Sequence, residues 1–236
     1  MSAAAEPKIL IFETSGKFGQ VALARGVTIL GSRRLEEARR HARDLAPAVA
    51  GLLVEATWKP QDLDAVVVSR GPGSYTGLRV GIMSAKTLAF ATGCALIAPD
   101  TFAAIAQQAP AEAVTLDVLA DAQQDNVYVQ RFARTETGSA WDAVSPLRIQ
   151  RISDWLTQSA APAWITGPGV RVLGERRPTG TCSTPAESWD PQPQSLLDIG
   201  LTQFLAGKRD DLWTLEPLYL RPSAAEEKWQ QCQPHV

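Results

Sequence analysis

Paired cysteines and an excess of charge of either sign are both lacking in this sequence of 236 residues. Cys94, Cys182 and Cys232 lie far apart and form no CxxC pair. Neither a disulfide framework nor a cysteine zinc site is therefore supported, and free thiols in a reducing compartment are expected. The formal net charge is −2, whereas domains that hold nucleic acid by their own electrostatics are usually strongly basic. Direct electrostatic binding of nucleic acid is thus disfavoured.

Long hydrophobic runs are also missing. The N-terminal residues, MSAAAEPK, have no apolar core of signal-peptide length. The most apolar helix candidate, residues 49–56, contains Glu55 and is too short to cross a bilayer. We therefore expect a cytoplasmic protein that makes no membrane contact. The length is sufficient for one large domain or for two lobes.

The order of apolar patterns predicts two successive units of the same kind. In the first unit, a nearly continuous apolar run is typical of a buried strand, and short turns join it to two further strands. The predicted strands are residues 8–14, 19–25, 27–33, 63–69 and 95–98, and the predicted helices are 43–57, 78–92 and 101–108. The second unit has predicted strands at 114–120, 126–134, 143–150 and 163–166, helices at 152–158 and 195–207, and a long loop at 174–194.

A duplicated unit of three meandering strands, a helix and a further strand is the ground plan of the actin, Hsp70 and sugar-kinase ATPases. We therefore predict a two-lobed α/β fold of this kind (ASKHA), with residues 1–109 as the first lobe and 110–236 as the second. A single doubly wound domain is the competing fold, but its parallel sheet needs long crossovers, and the opening turns are too short for them. The end of the polar tail, 217–236, is expected to be poorly ordered.

A glycine-rich loop, RGPGSYTGLRVG at 70–81, begins the second predicted helix. No lysine follows its glycines as a Walker A loop requires. Gly71, Gly73 and Gly77 miss the dinucleotide fingerprint by one residue, and Ser74 lacks the flanking glycines of a nucleophile elbow. The spacing favours a sharp turn from strand to helix, with an anion at the helix N-terminus as the alternative.

The helix that follows, predicted over 78–92, has few polar residues. Arg79 and Lys86 are its only charged residues, and most of the others are small or apolar. A helix of this kind is either enclosed by its own chain or covered by another subunit. The pattern leaves both alternatives open.

Motifs spread over nearly the whole chain resemble those of the TsaB (YeaZ) family. The most specific is RGPGSYTGLRVG at 70–81, followed by a helix of small residues and APDT at 98–101. The supporting motifs are ILIFETS at 9–15, His41 before an LxP helix, DAxxxxVY at 121–128 and EPLYLR at 216–221.

The resemblance implies a bacterial protein that has no catalytic residues of its own. It would act as a scaffold or activator of a catalytic paralogue, TsaD, in the threonylcarbamoylation (t6A) of adenosine 37 in tRNAs that read ANN codons. The implied partners are TsaD in a heterodimer, the TsaE ATPase and, indirectly, tRNA, with a homodimer as the alternative assembly. The chain itself would require no cofactor, and ATP or ADP at the interface with its partner is left open.

The resemblance also places the partner contact on the helices of the first lobe, so that the glycine loop becomes a rigid turn that presents a docking helix. The residues expected at this contact are Ser74, Tyr75, Thr76, Gly77, Leu78, Arg79, Gly81, Ile82, Ala85 and Lys86.

Catalytic and metal-binding groups are missing where an active relative would have them. His41 and His235 are the only histidines, so the HxxxH metal pair of the catalytic paralogue cannot form, and a metallopeptidase is untenable for the same reason. Glu13 ends the first strand, where actin-like ATPases place an Asp that holds hydrated magnesium. The longer side chain would move such a metal site. We expect no catalytic residue and no bound metal.

A weak nucleotide site remains as an alternative at Glu13, Thr14, Ser15 and Asp121. Thr14 and Ser15 are only loosely similar to a phosphate loop. After Asp121, the residues Gln123, Gln124 and Asp125 replace the glycine that a phosphate loop would use, which favours a simple turn. Two other functions compete with the scaffold: an active ATPase or kinase of the actin-like fold, and a stand-alone tRNA-binding protein. The missing catalytic groups weigh against the first, and the acidic balance weighs against the second.

Overall fold

Two β-sheets, each an antiparallel meander extended by parallel strands, form the frame of this computed structural model. The structure describes residues 6–37, 41–135, 140–158 and 162–220; for residues 36, 37, 41 and 42 it describes the backbone only. The predicted disorder at the end of the tail concerns residues outside these ranges. Among the described residues, no helix combines the length and the apolar character needed to cross a bilayer.

The first sheet consists of β1 (Lys8–Glu13), β2 (Phe18–Arg25), β3 (Thr28–Glu37), β4 (Ala65–Val68) and β5 (Ala95–Ile97). Its strand order is β3-β2-β1-β4-β5. β1 is antiparallel to β2 and parallel to β4, so it lies at the centre of the sheet. Both β1 and β4 are almost entirely apolar, as strands that are buried on both faces require.

Six α-helices surround the sheets in the described residues: α1 (His41–Glu55), α2 (Tyr75–Thr92), α3 (Thr101–Ala106), α4 (Ile152–Leu156), α5 (Val170–Leu173) and α6 (Pro193–Leu205). On one face of β1, Leu10 and Phe12 share a core cluster with α1 and α2. On the other face, Ile9 and Ile11 pack with α3 and α6. The alternation of β1 side chains therefore builds two cores, one on each side of the first sheet.

The second sheet repeats the plan of the first. It consists of β6 (Thr115–Asp121), β7 (Asn126–Arg134), β8 (Trp141–Ala143), β9 (Arg148–Arg151), β10 (Trp164–Thr166) and β11 (Cys182–Ser183). Its order is β11-β10-β6-β7-β8, and β9 also pairs with β7. β6 is antiparallel to β7 and parallel to β10, as β1 is to β2 and β4. The predicted two-lobed actin-like α/β fold is confirmed.

The second lobe differs from the prediction in two strands. The strand predicted over 143–150 is two short strands, β8 and β9, which both pair with β7. Pro146 lies between them, and a proline has no N–H for the ladder, so the edge strand is interrupted there. The predicted loop 174–194 contains the two-residue strand β11.

The last part of the chain returns to the first lobe. Leu196, Leu197 and Leu201 of α6 belong to the core cluster on the first sheet. After α6, residues 208–220, which include a turn at 212–214, run along the first lobe and are here called the C-terminal strap. Two backbone hydrogen bonds hold its ends there: the Asp210 N–H donates to the Leu96 carbonyl oxygen, and the Leu218 N–H donates to the Arg70 carbonyl oxygen. The division at residues 109 and 110 stays a prediction.

The connection between the lobes is held by one guanidinium group. Arg134, at the end of β7, donates from Nη2 to the carbonyl oxygen of Pro110 at 2.7 Å and from Nε to that of Ala113 at 2.9 Å. Its guanidinium also lies over the Trp141 ring, 4.5 Å from the centroid. These contacts fix the linker against the second sheet.

Two glycines of α2 let the helix lie directly on the turn that follows β1. A Cβ atom on Gly77 would overlap the carbonyl oxygen of Thr14, and one on Gly81 would overlap the Thr14 hydroxyl. A third glycine, Gly73 in the loop, comes so close that its Cβ would lie 2.6 Å from the Ser15 carbonyl oxygen. The turn and the helix are therefore in contact backbone to backbone, which only glycine permits.

We predict that Gly77→Ala lowers the free energy of unfolding by about 2 kcal/mol or more, because the added methyl group must displace a backbone carbonyl. Gly51→Ala, inside α1, is the matched control: nothing lies within 4 Å of its Cβ position. That change should raise the free energy of unfolding by about 0.5–1 kcal/mol through helix propensity. Urea denaturation of both variants measures the two values. Stabilisation by both alanines would contradict the close contact.

Candidate functional site

The glycine loop forms a capped turn between β4 and α2. Ser74 is the N-cap of α2, and its hydroxyl accepts a hydrogen bond from the Gly77 N–H at 3.2 Å. The Ser74 N–H donates to the carbonyl oxygen of Ser15 at 2.7 Å. Gly71 has a φ of +118°, which favours glycine, and the Gly71–Pro72 peptide bond is cis. The predicted sharp turn is thus present, and Ser74 caps the helix that follows it.

The expected partner-contact residues divide into buried and accessible groups. The buried members are enclosed by their own chain, so their side chains are not available to a partner: Gly77, Leu78, Gly81, Ile82 and Ala85. They fill the core because this side of α2 rests on β1 and β4. Thr76 and Arg79 are exposed, and Ser74, Tyr75 and Lys86 are half-buried. A partner contact by α2 itself stays a prediction, and only its outer side can make it.

The outer side of α2 is rich in apolar and aromatic side chains. Met83 is 59% exposed and Phe90 is 68% exposed, although both are large and apolar. Trp213 of the C-terminal strap, 76% exposed, meets the Phe90 ring edge to face with 5.9 Å between centroids. Side chains of this size are usually covered by protein when they cluster.

The strap extends this surface at the other end of α2. Tyr219 stacks on Tyr75 with 4.7 Å between ring centroids, and its hydroxyl accepts a hydrogen bond from Arg79 Nε at 3.2 Å. Lys86 Nζ donates to the carbonyl oxygen of Leu215 at 3.1 Å, which holds the middle of the strap. We call this surface the aromatic face; its members are Tyr75, Arg79, Met83, Phe90, Trp213 and Tyr219.

The turn after β1 holds a buried carboxylate. Glu13 is 1% exposed, and its Oε1 accepts hydrogen bonds from the Ser15 N–H at 2.6 Å, the Ser15 hydroxyl at 2.5 Å and the Gly16 N–H at 3.3 Å. Burial raises the pKa of Glu13 from its ordinary value of 4.5 to about 6, against the lowering effect of these hydrogen bonds and of the nearby Ser69 hydroxyl. Within the described part of the chain, Glu13 Oε2 and the hydroxyls of Thr14 and Ser69 are buried without a hydrogen bond.

Glu13 lies at a cleft of about 250 Å³ between the first sheet and the loop 186–192 of the second lobe. Lys17 and Arg34 line the cleft from the first lobe, and Glu187 and Asp190 line it from the loop. The cleft therefore contains charges of both signs. Of the residues predicted for a weak nucleotide site, only Glu13 lines it, while Thr14 is packed under α2 and Ser15 faces the Glu13 carboxylate.

Asp121 occupies a separate turn at the end of β6. It is exposed, and its Oδ1 accepts a hydrogen bond from the Gln123 N–H at 2.7 Å. Gln123, Gln124 and Asp125 all have positive φ values between +52° and +62°, in the region that glycine favours. The carboxylate thus stabilises a tight turn, as the sequence favoured. A nucleotide role for Asp121 stays a prediction.

Among the described residues, no group of three histidine, cysteine, aspartate or glutamate side chains is close enough to hold an ion. The His41 side chain and His235 lie outside what the structure describes. Of the cysteines in the described ranges, Cys94 is half-buried and Cys182 is exposed, and both are free.

Two parts of the candidate sites were not predicted from the sequence. The strap residues Trp213 and Tyr219 are far from α2 along the chain, and only the return of the chain after α6 brings them together. Residues 186–192 were predicted to belong to a loop, but the sequence did not predict that this loop lies beside the first sheet. Phe90 and Met83 belong to the helix whose apolar character the sequence showed, but the pattern left open whether its own chain or another subunit covers that helix.

We predict that the stability of the protein depends on pH through Glu13. Its pKa is raised in the folded chain, so the contribution of this carboxyl is fully present below about pH 4.5 and is lost as the pH rises through about 6. Relative to Glu13→Gln, the free energy of unfolding should fall by about 2 kcal/mol between about pH 4 and pH 8. Urea denaturation across this range measures it, and Glu187→Gln, an exposed carboxyl in the same cleft, is the control. Parallel curves for the wild type and Glu13→Gln would contradict the shift.

Comparison with known proteins places the chain in a family. Residues 31–161 match the family model described as TsaD, tRNA N6-adenosine threonylcarbamoyltransferase. The chain is 29% identical to the tRNA threonylcarbamoyladenosine biosynthesis proteins TsaB of Bacillus subtilis and Escherichia coli, over 94% of this chain and 97% of each relative. The solved structure of YeaZ from Pseudomonas aeruginosa matches with a TM-score of 0.75 at 27% identity, over 91% of this chain and 100% of that chain. The chain therefore belongs to the TsaB (YeaZ) family, which is named for the biosynthesis of threonylcarbamoyladenosine in tRNA.

Proposed function

We propose that this chain is a noncatalytic subunit that docks its aromatic face on the catalytic paralogue TsaD and thereby supports t6A formation at adenosine 37 of tRNA. The observation that carries the proposal is the exposed aromatic face. Aromatic residues, methionine and arginine are enriched at the centres of protein interfaces, and this face is composed almost entirely of them. The family's role in threonylcarbamoyladenosine biosynthesis names the pathway in which such a contact would act.

The division of α2 into two sides supports this assignment. Ile82, Ala85 and Ala89 pack α2 into the core cluster on the first sheet, so the outer side is presented on a rigid support. The strap is tied to the helix through Lys86 and Arg79, which orders the aromatic side chains before a partner arrives. Preordered side chains lose less conformational entropy on binding.

The remaining partners follow from the same proposal. TsaE and tRNA would be reached through the complex with the paralogue, in the cytoplasm, and ATP or ADP would be held at the shared interface rather than by this chain alone. A homodimer through the aromatic face is the alternative assembly in the absence of the paralogue. An active ATPase or kinase is the competing function.

We predict that t6A disappears from tRNA when this protein is depleted and returns when the wild-type chain is restored. Mass spectrometry of tRNA nucleosides measures the modified fraction. Unchanged t6A after depletion would contradict the proposed pathway role. ATP turnover by the purified chain that is lost in Glu13→Ala would instead favour the ATPase.

We predict that Met83→Asp weakens binding to the paralogue at least tenfold, because it places a charge at the centre of the aromatic face. The free energy of unfolding should change by less than about 0.5 kcal/mol, since the Met83 side chain is mostly exposed. Val144→Asp, an exposed valine of the second lobe, is the matched control and should bind like the wild type. Calorimetric titration with the purified paralogue measures both affinities. If Met83→Asp and the wild type bind the paralogue with equal affinity, the outer side of α2 is not part of the interface.

A further inference from the structure

Three donors of the turn after β1 converge on one oxygen. The backbone N–H groups of Ser15 and Gly16 and the hydroxyl of Ser15 all donate to Glu13 Oε1, at 2.6, 3.3 and 2.5 Å. Successive N–H groups that point to a common centre form a concavity that binds anions. In this chain, the anion at that centre is the carboxylate of the residue that begins the turn.

The same turn forms part of the cleft between the lobes. Glu13 and Gly16 line the cleft, whose volume of about 250 Å³ admits an anion of the size of phosphate. Two cations line it from the first lobe: Arg34, whose guanidinium lies 3.9 Å from the centroid of the Phe18 ring, and Lys17, whose ammonium lies 5.3 Å from it. The cleft thus has donors and positive charges for an oxyanion, and also a carboxylate that already uses the donors.

We propose that the turn 14–16 is an oxyanion-binding site filled from within by the Glu13 carboxylate, and that this internal occupant excludes phosphate groups from the cleft. The site would take a tetrahedral oxyanion, free or as part of a larger ligand, once the carboxylate is removed.

Phosphate is excluded by electrostatic repulsion and by the lack of available hydrogen-bond donors. A phosphate at the turn would meet a like charge and would find both N–H groups already in use, so it would gain no hydrogen bond there. The carboxylate cannot easily leave, because it is buried and the turn is clamped: the Ser15 carbonyl oxygen accepts from the Ser74 N–H at 2.7 Å. The glycines of α2 pack on Thr14 from the other side.

The other charged groups of the cleft do not change the effect of Glu13 on phosphate binding. Glu187 and Asp190 line the cleft from the second lobe and add negative charge. Asp190 is held by Arg171 in a two-bond ion pair of 2.7 and 3.0 Å. Removal of Glu13 therefore frees the donors and removes one negative charge, while Lys17 and Arg34 remain as the cations of the cleft.

The anion site at the turn 14–16 belongs to the isolated chain, so it does not depend on the docking of α2. The test is a titration with inorganic phosphate at about pH 7.5, followed through the amide resonances of Ser15 and Gly16. We expect Glu13→Ala to bind phosphate at least tenfold more tightly than the wild type, with both amides shifted. Glu187→Ala removes a carboxylate from the same cleft without freeing the donors, so it should bind no better than the wild type.

Two results would overturn the proposal: wild-type binding equal to that of a folded Glu13→Ala variant, or an equal gain in Glu187→Ala. Should Glu13→Ala fail to fold, the wild type alone decides the matter. The amide protons of Ser15 and Gly16 should then shift with the Glu13 carboxyl carbon as the pH passes through about 6. Amide resonances that stay constant while the carboxyl titrates would show that Glu13 does not occupy the turn.

Discussion

The contact between helix α2 and the turn after β1 is the constraint on which the rest of the first lobe depends. Gly77 lets the helix lie on the backbone of Thr14, and Gly81 lets it lie on the Thr14 side chain, at distances that leave no room for a Cβ atom. This contact fixes the direction of α2 across the first sheet and clamps the turn that carries Glu13. The outer surface of the helix and the floor of the cleft are both set by it.

The glycine-rich loop therefore has a structural explanation. Its glycines accommodate close contacts with the turn after β1, and its Ser74 caps the helix. The donors typical of a phosphate loop occur instead in the turn 14–16, where Glu13 takes them up. One chain thus has the frame of an actin-like ATPase, a cleft whose anion site is filled by its own carboxylate, and an aromatic face on the outside of α2.

Much of the fold was predictable because its signals are local. The strands β1 and β4 are short apolar runs, the turns between β1, β2 and β3 are too short for crossovers, and the same order recurs after residue 109. The interrupted strand β8–β9 and the two-residue β11 were missed, since pairing with a neighbour defines them more than their own residues do. The packing of α6 on the first sheet joins residues far apart in the chain, which periodicity does not record.

The sequence by itself determined the two-lobed fold, the family and the absence of a histidine pair, because each rests on local pattern or residue identity. Only the tertiary structure decided which side of α2 is available. Ile82 and Phe90 are both apolar residues of one helix, but Ile82 is on the side that packs on the first sheet and is buried, whereas Phe90 is on the outer side and is exposed. The tertiary structure also decided the role of Glu13, since the distance from its carboxylate to the N–H groups of Ser15 and Gly16 follows from how the turn is clamped.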